Sequence, residues 1–374
     1  MIRETIASLP RLARRLAVAG MYLVLAALIL YFPLWNGFLR QDKTLNVCVF
    51  VETFSYEAIE QFQKETGIKV NLTYAEIDEQ TFAKFHINRG KDYDVVNVSD
   101  AFVYKLGAQD MLQAIDYAQI PNMSHVYASL KHLVYDVENR YAVPHKWYAY
   151  GIVYDRTFLD VAPDDMSWRY IFQDPQELYK EGGVKNPYRV CMVDDGRDAS
   201  LLASLYLFGT ISSLEGDHLE SVKQMLITQK RWVEAYTLHS SQYFLFSGLV
   251  PVAAMTSNYM RKIYTHTDRF EFAIPKEGSL LIVENLVIPR LSKKIDLAHE
   301  FINFMLRDDI AQLNSKSFGY NSANEHANDH IDKKIRLNHH IFPDAKTFER
   351  LYIPLLMPEV FKSVEKSWLH VGFA

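Results

Sequence analysis

The chain has 374 residues, of which 49% are hydrophobic, 13% aromatic and 23% charged, and its net charge is −5. Such a composition supplies a large apolar core and argues against intrinsic disorder. The negative net charge argues against nucleic acid as a partner.

The first predicted element is an apolar segment close to the N-terminus. Residues 16–39 carry no charged side chain over 24 positions, and a helix needs about 20 such positions to cross a bilayer. Four arginines precede the segment, and positive charges of this kind stay on the cytoplasmic side. We therefore predict a basic cytoplasmic segment and transmembrane anchor at residues 1–42, with the remaining body outside the inner membrane. A cleaved signal peptide, which would release the body into the periplasm, is the alternative.

A strand, a helix and a second strand are predicted over residues 45–74. Ser55 is placed to cap the helix, because its hydroxyl can accept a hydrogen bond from a free N–H of the first turn. Gly67 is placed to end it, because glycine tolerates a left-handed backbone. In open α/β sheets the loop after such a first strand lies at a ligand-binding edge.

Strand and helix patterns alternate along the rest of the chain. Further strands are predicted at residues 94–98, 140–144, 151–154, 189–193, 250–255, 270–274 and 280–288. Further helices are predicted at residues 104–111, 199–208, 256–264, 296–306 and 358–368. This alternation favours parallel or mixed sheets covered by helices. We predict two sheets, one on each side of a crossover near residues 145–155.

The two cysteines, Cys48 and Cys191, lie in apolar strand-like runs far apart in the sequence. We predict two buried thiols, with a disulfide as the alternative in an oxidising compartment.

Six segments in order give the chain a family resemblance. They are EQFQKETGIKV at 60–70, KDYDVVNVSD at 91–100, VDDGRD at 193–198, PKEGSLLIVENLVIP at 275–289, EFINFMLRDDIAQ at 300–312 and FPDA at 342–345. In order and spacing they resemble the bacterial spermidine/putrescine-binding proteins, which are the solute-binding components of polyamine ABC transporters. The resemblance covers about residues 43–370.

The resemblance implies the α/β fold of a type 2 periplasmic binding protein, in which two lobes enclose a ligand cleft. Lobe 1 would comprise residues 43–150 and 284–325, and lobe 2 residues 151–283 and 326–374. The implied partners are a polyamine, the permease subunits of an ABC importer and, through them, an ATPase. No cofactor, metal or catalytic activity is implied.

Polyamines need carboxylates for their ammonium groups and aromatic faces for their methylenes. The resemblance places Asp195 and Asp198 at acidic ligand positions, and Glu284 where the family has an aspartate that pairs with an ammonium group. The complete implied site is Phe50, Glu52, Thr53, Ser99, Asp195, Asp198, Thr256 and Glu284.

The aromatic positions of the family are largely absent here. Thr256 and Ile282 stand near or at two cleft tryptophans, and Ala101 stands at a contact tyrosine. The resemblance therefore leaves open a solute other than a polyamine.

Several of these side chains also have purely structural interpretations. Asp195 and Asp198 could cap the helix that follows them, and Ser99 could cap another. Phe50 could pack under its loop. The aromatic residues Trp147, Tyr148 and Tyr150 are more typical of crossover packing.

Other chemistry receives little support from the sequence. His326 and His330 have the i, i+4 spacing of metal ligands, with His339 and His340 nearby, but their polar setting is more typical of a solvated surface. The chain has no phosphate-binding or nucleophile-elbow motif. Paired acids alone could serve a glycosidase. We therefore predict a solute-binding protein rather than an enzyme, with a membrane-anchored scaffold or enzyme as the alternative from another class.

Overall fold

The computed structural model describes residues 43–373 except 76–82, 84, 86, 88, 213, 238 and 239, together with residues 19–22 and 26. The predicted anchor at residues 16–39 therefore lies largely outside the described residues. None of the helices that the described residues form is both long and apolar enough to cross a membrane.

The strands, in chain order, are β1 (Thr44–Phe50), β2 (Lys69–Ala75), β3 (Val95–Ser99), β4 (Val143–Asp155), β5 (Val190–Met192), β6 (Val233–Tyr236), β7 (Val252–Thr256), β8 (Phe270–Ala273), β9 (Ser279–Val287), β10 (Asn321–Ser322) and β11 (Leu351–Tyr352).

The helices are α1 (Tyr56–Thr66), α2 (Asp100–Ala108), α3 (Arg169–Phe172), α4 (Pro175–Lys180), α5 (Gly196–Phe208), α6 (Gly216–Gln229), α7 (Ser241–Phe246), α8 (Tyr259–His266), α9 (Ile295–Met305), α10 (Asp308–Phe318), α11 (Lys333–Arg336), α12 (Ala345–Phe348) and α13 (Pro358–Phe373). Short 3-10 helices lie at Tyr117–Gln119, Pro121–His125, Ala128–Leu130, Pro163–Asp165, Lys230–Trp232 and His326–Asn328.

The first β–α–β unit agrees with its prediction. Helix α1 spans Tyr56–Thr66, and the Ser55 hydroxyl accepts a hydrogen bond from the Ala58 N–H at 3.2 Å. Gly67 ends the helix with a φ of 71°, in the left-handed region that glycine tolerates. Strand β1 pairs in parallel with β2 on one side and with β3 on the other.

The crossover differs from its prediction. The sequence predicts two strands, at residues 140–144 and 151–154, but one 13-residue strand, β4, runs unbroken through the aromatic residues between them. It stays extended because its first half pairs antiparallel with β9 and its second half with β7 and β8. The prediction of two separate sheets was wrong for the same reason: in the described residues one sheet runs β2-β1-β3-β9-β4-β7-β5-β6.

Several helix boundaries also differ from their predictions, those of α2 and α8 among them. Helix α2 begins at Asp100, directly after Ser99, rather than at residue 104. Helix α8 begins at Tyr259 because Thr256 still belongs to β7, where it pairs with Tyr150 of β4.

The buried apolar side chains form separate clusters on the two halves of this sheet. The first cluster joins β1, β3 and α9, and in it Phe62 of α1 meets the edges of Phe301 and Phe304 at ring-centroid distances of 5.1 Å. The second surrounds Trp168 and Phe172 and includes the apolar residues of α5. A third lies around Phe270 and Phe272 of β8 and its flank. Strands β4 and β9 are the elements that pass between the halves.

Both cysteines are buried, and neither forms a disulfide, as predicted. Cys48 lies in β1 and Cys191 in β5, which belong to opposite halves of the sheet. Burial raises the pKa of the Cys191 thiol to about 12, so this thiol is protonated at neutral pH.

Candidate functional site

A cleft of about 550 Å³ opens where β4 and β9 cross between the halves of the sheet. Phe50, packed on the first apolar cluster, faces it from one side, and Tyr150 and Ile282 of the second cluster face it from the other. This volume is within the usual range of small-molecule sites. The predicted residues that line it are Phe50, Glu52, Ser99, Asp195, Asp198, Thr256 and Glu284.

Thr53 is the predicted site residue that does not line the cleft. Its side chain is fully buried, and its hydroxyl accepts a hydrogen bond from Asn97 Nδ2 at 3.3 Å. The Tyr320 hydroxyl donates to the Thr53 carbonyl at 3.1 Å. Thr53 therefore fixes the loop after β1 from beneath, because these buried polar groups satisfy one another.

Asp195 and Asp198 lie at the start of α5. Asp195 is the N-cap residue, and its Oδ1 accepts from the Asp198 backbone N–H at 2.8 Å, so the capping interpretation is correct for Asp195. Both side chains also line the cleft. Asp198 is buried and pairs with its neighbour Arg197, with Nε 2.8 Å from Oδ1.

Ser99 and Glu284 face each other across the β3–β9 pairing. Ser99 occupies the N-cap position of α2, but its side chain makes no capping hydrogen bond there, and it lines the cleft instead.

Glu284 is satisfied by the protein itself. Its Oε1 lies 3.0 Å from the ammonium nitrogen of Lys146, and the two side chains are 4% and 8% exposed. Its Oε2 accepts from Asn97 Nδ2 at 2.9 Å. Burial alone would raise the pKa of Glu284, but Lys146, His145 and Asn97 outweigh it and hold the pKa below its ordinary value. Glu284 lines the cleft as predicted, but a lysine ammonium of the chain itself already lies beside it, where the resemblance implies a ligand ammonium.

His145 completes this network on β4. Its Nε2 lies 3.1 Å from Asn97 Oδ1 and 4.0 Å from Glu284 Oε2. Burial lowers the pKa of His145 to about 4, although the Glu284 carboxylate opposes the shift. The imidazole is thus neutral at pH 7, and its Nε2–H donates to the Asn97 carbonyl oxygen.

Lys146 and Arg197 are functional candidates that the sequence reasoning missed. Lys146 lies on β4 with its ammonium group 5.9 Å from the ring centroid of Tyr148 and 5.1 Å from that of Tyr320. The available signal was a lysine beside a histidine inside an otherwise apolar strand, since lysine is rarely buried without a partner.

An ion pair at the mouth of the cleft connects residues from the two halves of the molecule. Glu52, in the loop after β1, lies 3.3 Å from the ammonium nitrogen of Lys262 on α8. Both side chains are about half exposed. Glu52 has a φ of 60°, which is uncommon for a residue with a side chain.

Aromatic side chains enter the cleft from positions other than those the resemblance suggested. Tyr148 and Tyr150 on β4, Tyr243 on α7 and Tyr259 on α8 line it together with Phe50. Tyr148 and Tyr150, which crossover packing alone could have explained, thus also line the cleft. Burial raises the pKa of Tyr150 well above its ordinary value, and the nearby carboxylates of Asp198 and Asp195 add to the shift.

The histidine clusters are occupied by other partners. His330 donates from Nδ1 to the Ala327 carbonyl at 2.7 Å, so its Nε2 accepts from the Arg261 guanidinium at 3.0 Å. His339 and His340 approach Asp164 in a grouping that could hold a metal ion. However, His340 Nδ1 accepts the Ile274 N–H at 3.1 Å, so its Nε2 carries the ring proton and offers no lone pair to a metal ion. This Nε2 lies 3.4 Å from Asp164 Oδ1 and makes no hydrogen bond with any described residue.

Comparisons with known proteins agree with this architecture. The family model of bacterial extracellular solute-binding proteins matches residues 57–342. A putrescine/cadaverine-binding protein of Pseudomonas aeruginosa is 26% identical over 95% of this chain and 96% of its own length. The spermidine/putrescine-binding periplasmic protein of Escherichia coli is 26% identical over 78% of this chain and 80% of its own length.

Solved structures show the same mixed α/β substrate-binding fold. A spermidine/putrescine ABC transporter substrate-binding protein of Streptococcus pneumoniae superposes with a TM-score of 0.74 at 22% identity, over 88% of this chain and 98% of that one. Because the family model spans more than half of the chain, this protein belongs to the bacterial extracellular solute-binding proteins.

Proposed function

We propose that this chain is an extracytoplasmic solute-binding protein that captures an aliphatic ammonium compound of the polyamine type and delivers it to an ABC importer. The names of its relatives support this ligand class. The proposal depends on one observation: Asp195 and Asp198 line the same cleft as the five aromatic rings of Phe50, Tyr148, Tyr150, Tyr243 and Tyr259. Carboxylates bind ammonium groups, and aromatic faces contact methylenes and cations.

The proposed roles follow from position. Asp195 and Asp198 receive an ammonium group, while Phe50 and Tyr259 contact the aliphatic part. Ser99 and Thr256 offer hydroxyl groups near the middle of the cleft, and Glu52 lies at its mouth. No catalytic step is proposed.

The proposed mechanism is closure of two lobes, residues 43–150 with 284–325 and residues 151–283 with 326–374. Strands β4 and β9 would act as the hinge, because they cross between the lobes. The closed form would then be recognised by the permease subunits of the importer, which an ATPase drives.

We further propose that residues 1–42 tether the protein to the inner membrane, with the body in the periplasm. The apolar residues 16–39 and the preceding arginines support this placement. Fractionation of cells that express the full chain should find it in the membrane fraction at its full length. Recovery of a shortened chain in the periplasmic fraction would contradict the tether and favour cleavage.

The ligand proposal is tested by calorimetric titration of the full-length chain in a mild non-ionic detergent. The panel contains putrescine, spermidine, 4-aminobutanoate and glucose. We expect binding heat from at least one ammonium compound, and at least a tenfold loss of affinity in Asp195→Asn/Asp198→Asn. Asparagine keeps the helix cap but removes the charge.

Asp194→Asn is the matched control, because Asp194 is exposed and adjoins the site without lining the cleft. It should bind as the wild type does. Heat from glucose alone, or equal affinities in the double variant and the wild type, would contradict the proposal.

One observation favours a second candidate within the same class, namely a solute other than a polyamine. Lys146 occupies the place beside Glu284 that the resemblance assigns to a ligand ammonium.

A further inference from the structure

The protein carries its own ammonium group inside the cleft. The Lys146 nitrogen lies 3.0 Å from Glu284 Oε1, with both side chains nearly buried, and two tyrosine rings flank it at 5.9 and 5.1 Å. A carboxylate and aromatic faces are the partners expected around the ammonium group of a bound amine. Lys146 therefore reproduces, from within the chain, the environment of a ligand ammonium.

Placing a second ammonium group beside Glu284 would cost free energy. If a ligand ammonium contacted Glu284, it would lie within a few ångströms of the Lys146 nitrogen, and like charges repel strongly where water is scarce. Expelling Lys146 would also be unfavourable, because its ammonium group would lose a buried partner. The Glu284 end of the cleft therefore disfavours a positively charged ligand group.

Two other carboxylates in the cleft are also paired with positively charged side chains of the chain itself. Asp198 pairs with Arg197 at 2.8 Å, and Glu52 pairs with Lys262 at 3.3 Å. Among the described residues that line the cleft, four carboxylates stand against the three cations Lys146, Arg197 and Lys262, which leaves one negative charge in excess. One ligand ammonium would balance this excess, whereas the charges of a polyamine would exceed it.

We propose that the ligand carries a single ammonium group, which binds at the Asp195 end of the cleft, and that Lys146 excludes a second ammonium group from the Glu284 end. This inference rests on the proposed solute-binding function and changes its ligand from a polyamine to a short aliphatic amine with one ammonium group. The aliphatic part of the ligand lies against Phe50 and Tyr259, which line the same cleft.

The test is a calorimetric titration of the full-length chain with three four-carbon probes that differ only in their end groups: 1-aminobutane, 4-aminobutanoate and putrescine. For the wild type we expect at least one single-ammonium probe to bind at least tenfold more tightly than putrescine. In Lys146→Met, putrescine should gain at least tenfold in affinity, because its second ammonium can then pair with Glu284.

Lys223→Met is the matched control, since it removes one positive charge from α6, where Lys223 pairs with Glu220 outside the cleft. It should keep the wild-type order of affinities. If Lys146→Met fails to fold, the order of affinities in the wild type still decides the question.

The outcomes separate the two proposals. Tighter binding of putrescine than of both single-ammonium probes by the wild type would overturn the inference alone, as would an unchanged putrescine affinity in a folded Lys146→Met variant. If none of the amines, spermidine included, produced binding heat, the proposed function and the inference would both be overturned.

Discussion

The buried pair of Lys146 and Glu284 makes a prediction about stability that needs no ligand. The atoms Nζ and Oε1 are 3.0 Å apart, and at an effective dielectric constant of about 20 two unit charges at this separation attract by about 5 kcal/mol. Desolvation of the two groups offsets much of this attraction, so the intact pair adds little net stability. Removing one partner is different, because the other charge is left buried.

We therefore expect Glu284→Gln to lower the free energy of unfolding by about 3–5 kcal/mol. Adding Lys146→Met to this variant should restore most of the loss, because the double variant has no unpaired charge at this position and the introduced glutamine can still accept from Asn97. The exposed pair of Lys262 and Glu52 is the control, and disrupting it should cost less than about 1 kcal/mol.

Urea unfolding at pH 7.5, followed by near-ultraviolet circular dichroism, measures these differences. The double-mutant cycle should give a coupling energy of at least about 2 kcal/mol for Lys146 and Glu284. If the single and double variants lost the same stability, or the two pairs had equal coupling, the assignment of a buried ion pair would be refuted.

Three further predictions concern the fold. Burial lowers the pKa values of His145 and His340 to about 4, whereas these histidines bind protons near pH 6.5 in the unfolded chain. The free energy of unfolding should therefore fall as the pH drops from about 6.5 to 4, by about 3 kcal/mol for His145. In an acid titration followed by unfolding, His145→Gln should show a shallower fall. Gly151→Ala should cost about 1–3 kcal/mol in urea unfolding, because a Cβ there would lie 2.5 Å from the Phe272 ring; an unchanged midpoint would contradict this packing. Ser55→Ala should cost about 1 kcal/mol through loss of the α1 cap, and Ser55→Asn should cost much less; equal losses would argue against capping.

Local patterns in the sequence predicted the local structure well. Helix α1 and its two caps depend on residues within a few positions of one another, so Ser55 and Gly67 were sufficient to place it. The same holds for the capping role of Asp195, which its place before an apolar stretch indicated. Its place on the cleft was implied by the family resemblance.

The pairing that determines the chemistry of the cleft was not accessible in this way. Lys146 and Glu284 are far apart in the sequence and meet only because β4 and β9 align antiparallel, with these two residues in register. A resemblance carries over the acidic positions but does not reveal that a cation of the chain itself has come to lie beside one of them. Thr53 was predicted to line the cleft but does not, for a similar reason: its hydrogen bonds with the distant residues Asn97 and Tyr320 hold it beneath the loop.

A crystal structure of the chain with 1-aminobutane tests the single-ammonium site most directly, through the position of the ligand nitrogen. We expect this nitrogen about 2.7–3.2 Å from a carboxylate oxygen of Asp195 or Asp198, with Lys146 still paired to Glu284. A ligand ammonium in contact with Glu284, with Lys146 displaced from the cleft, would contradict it.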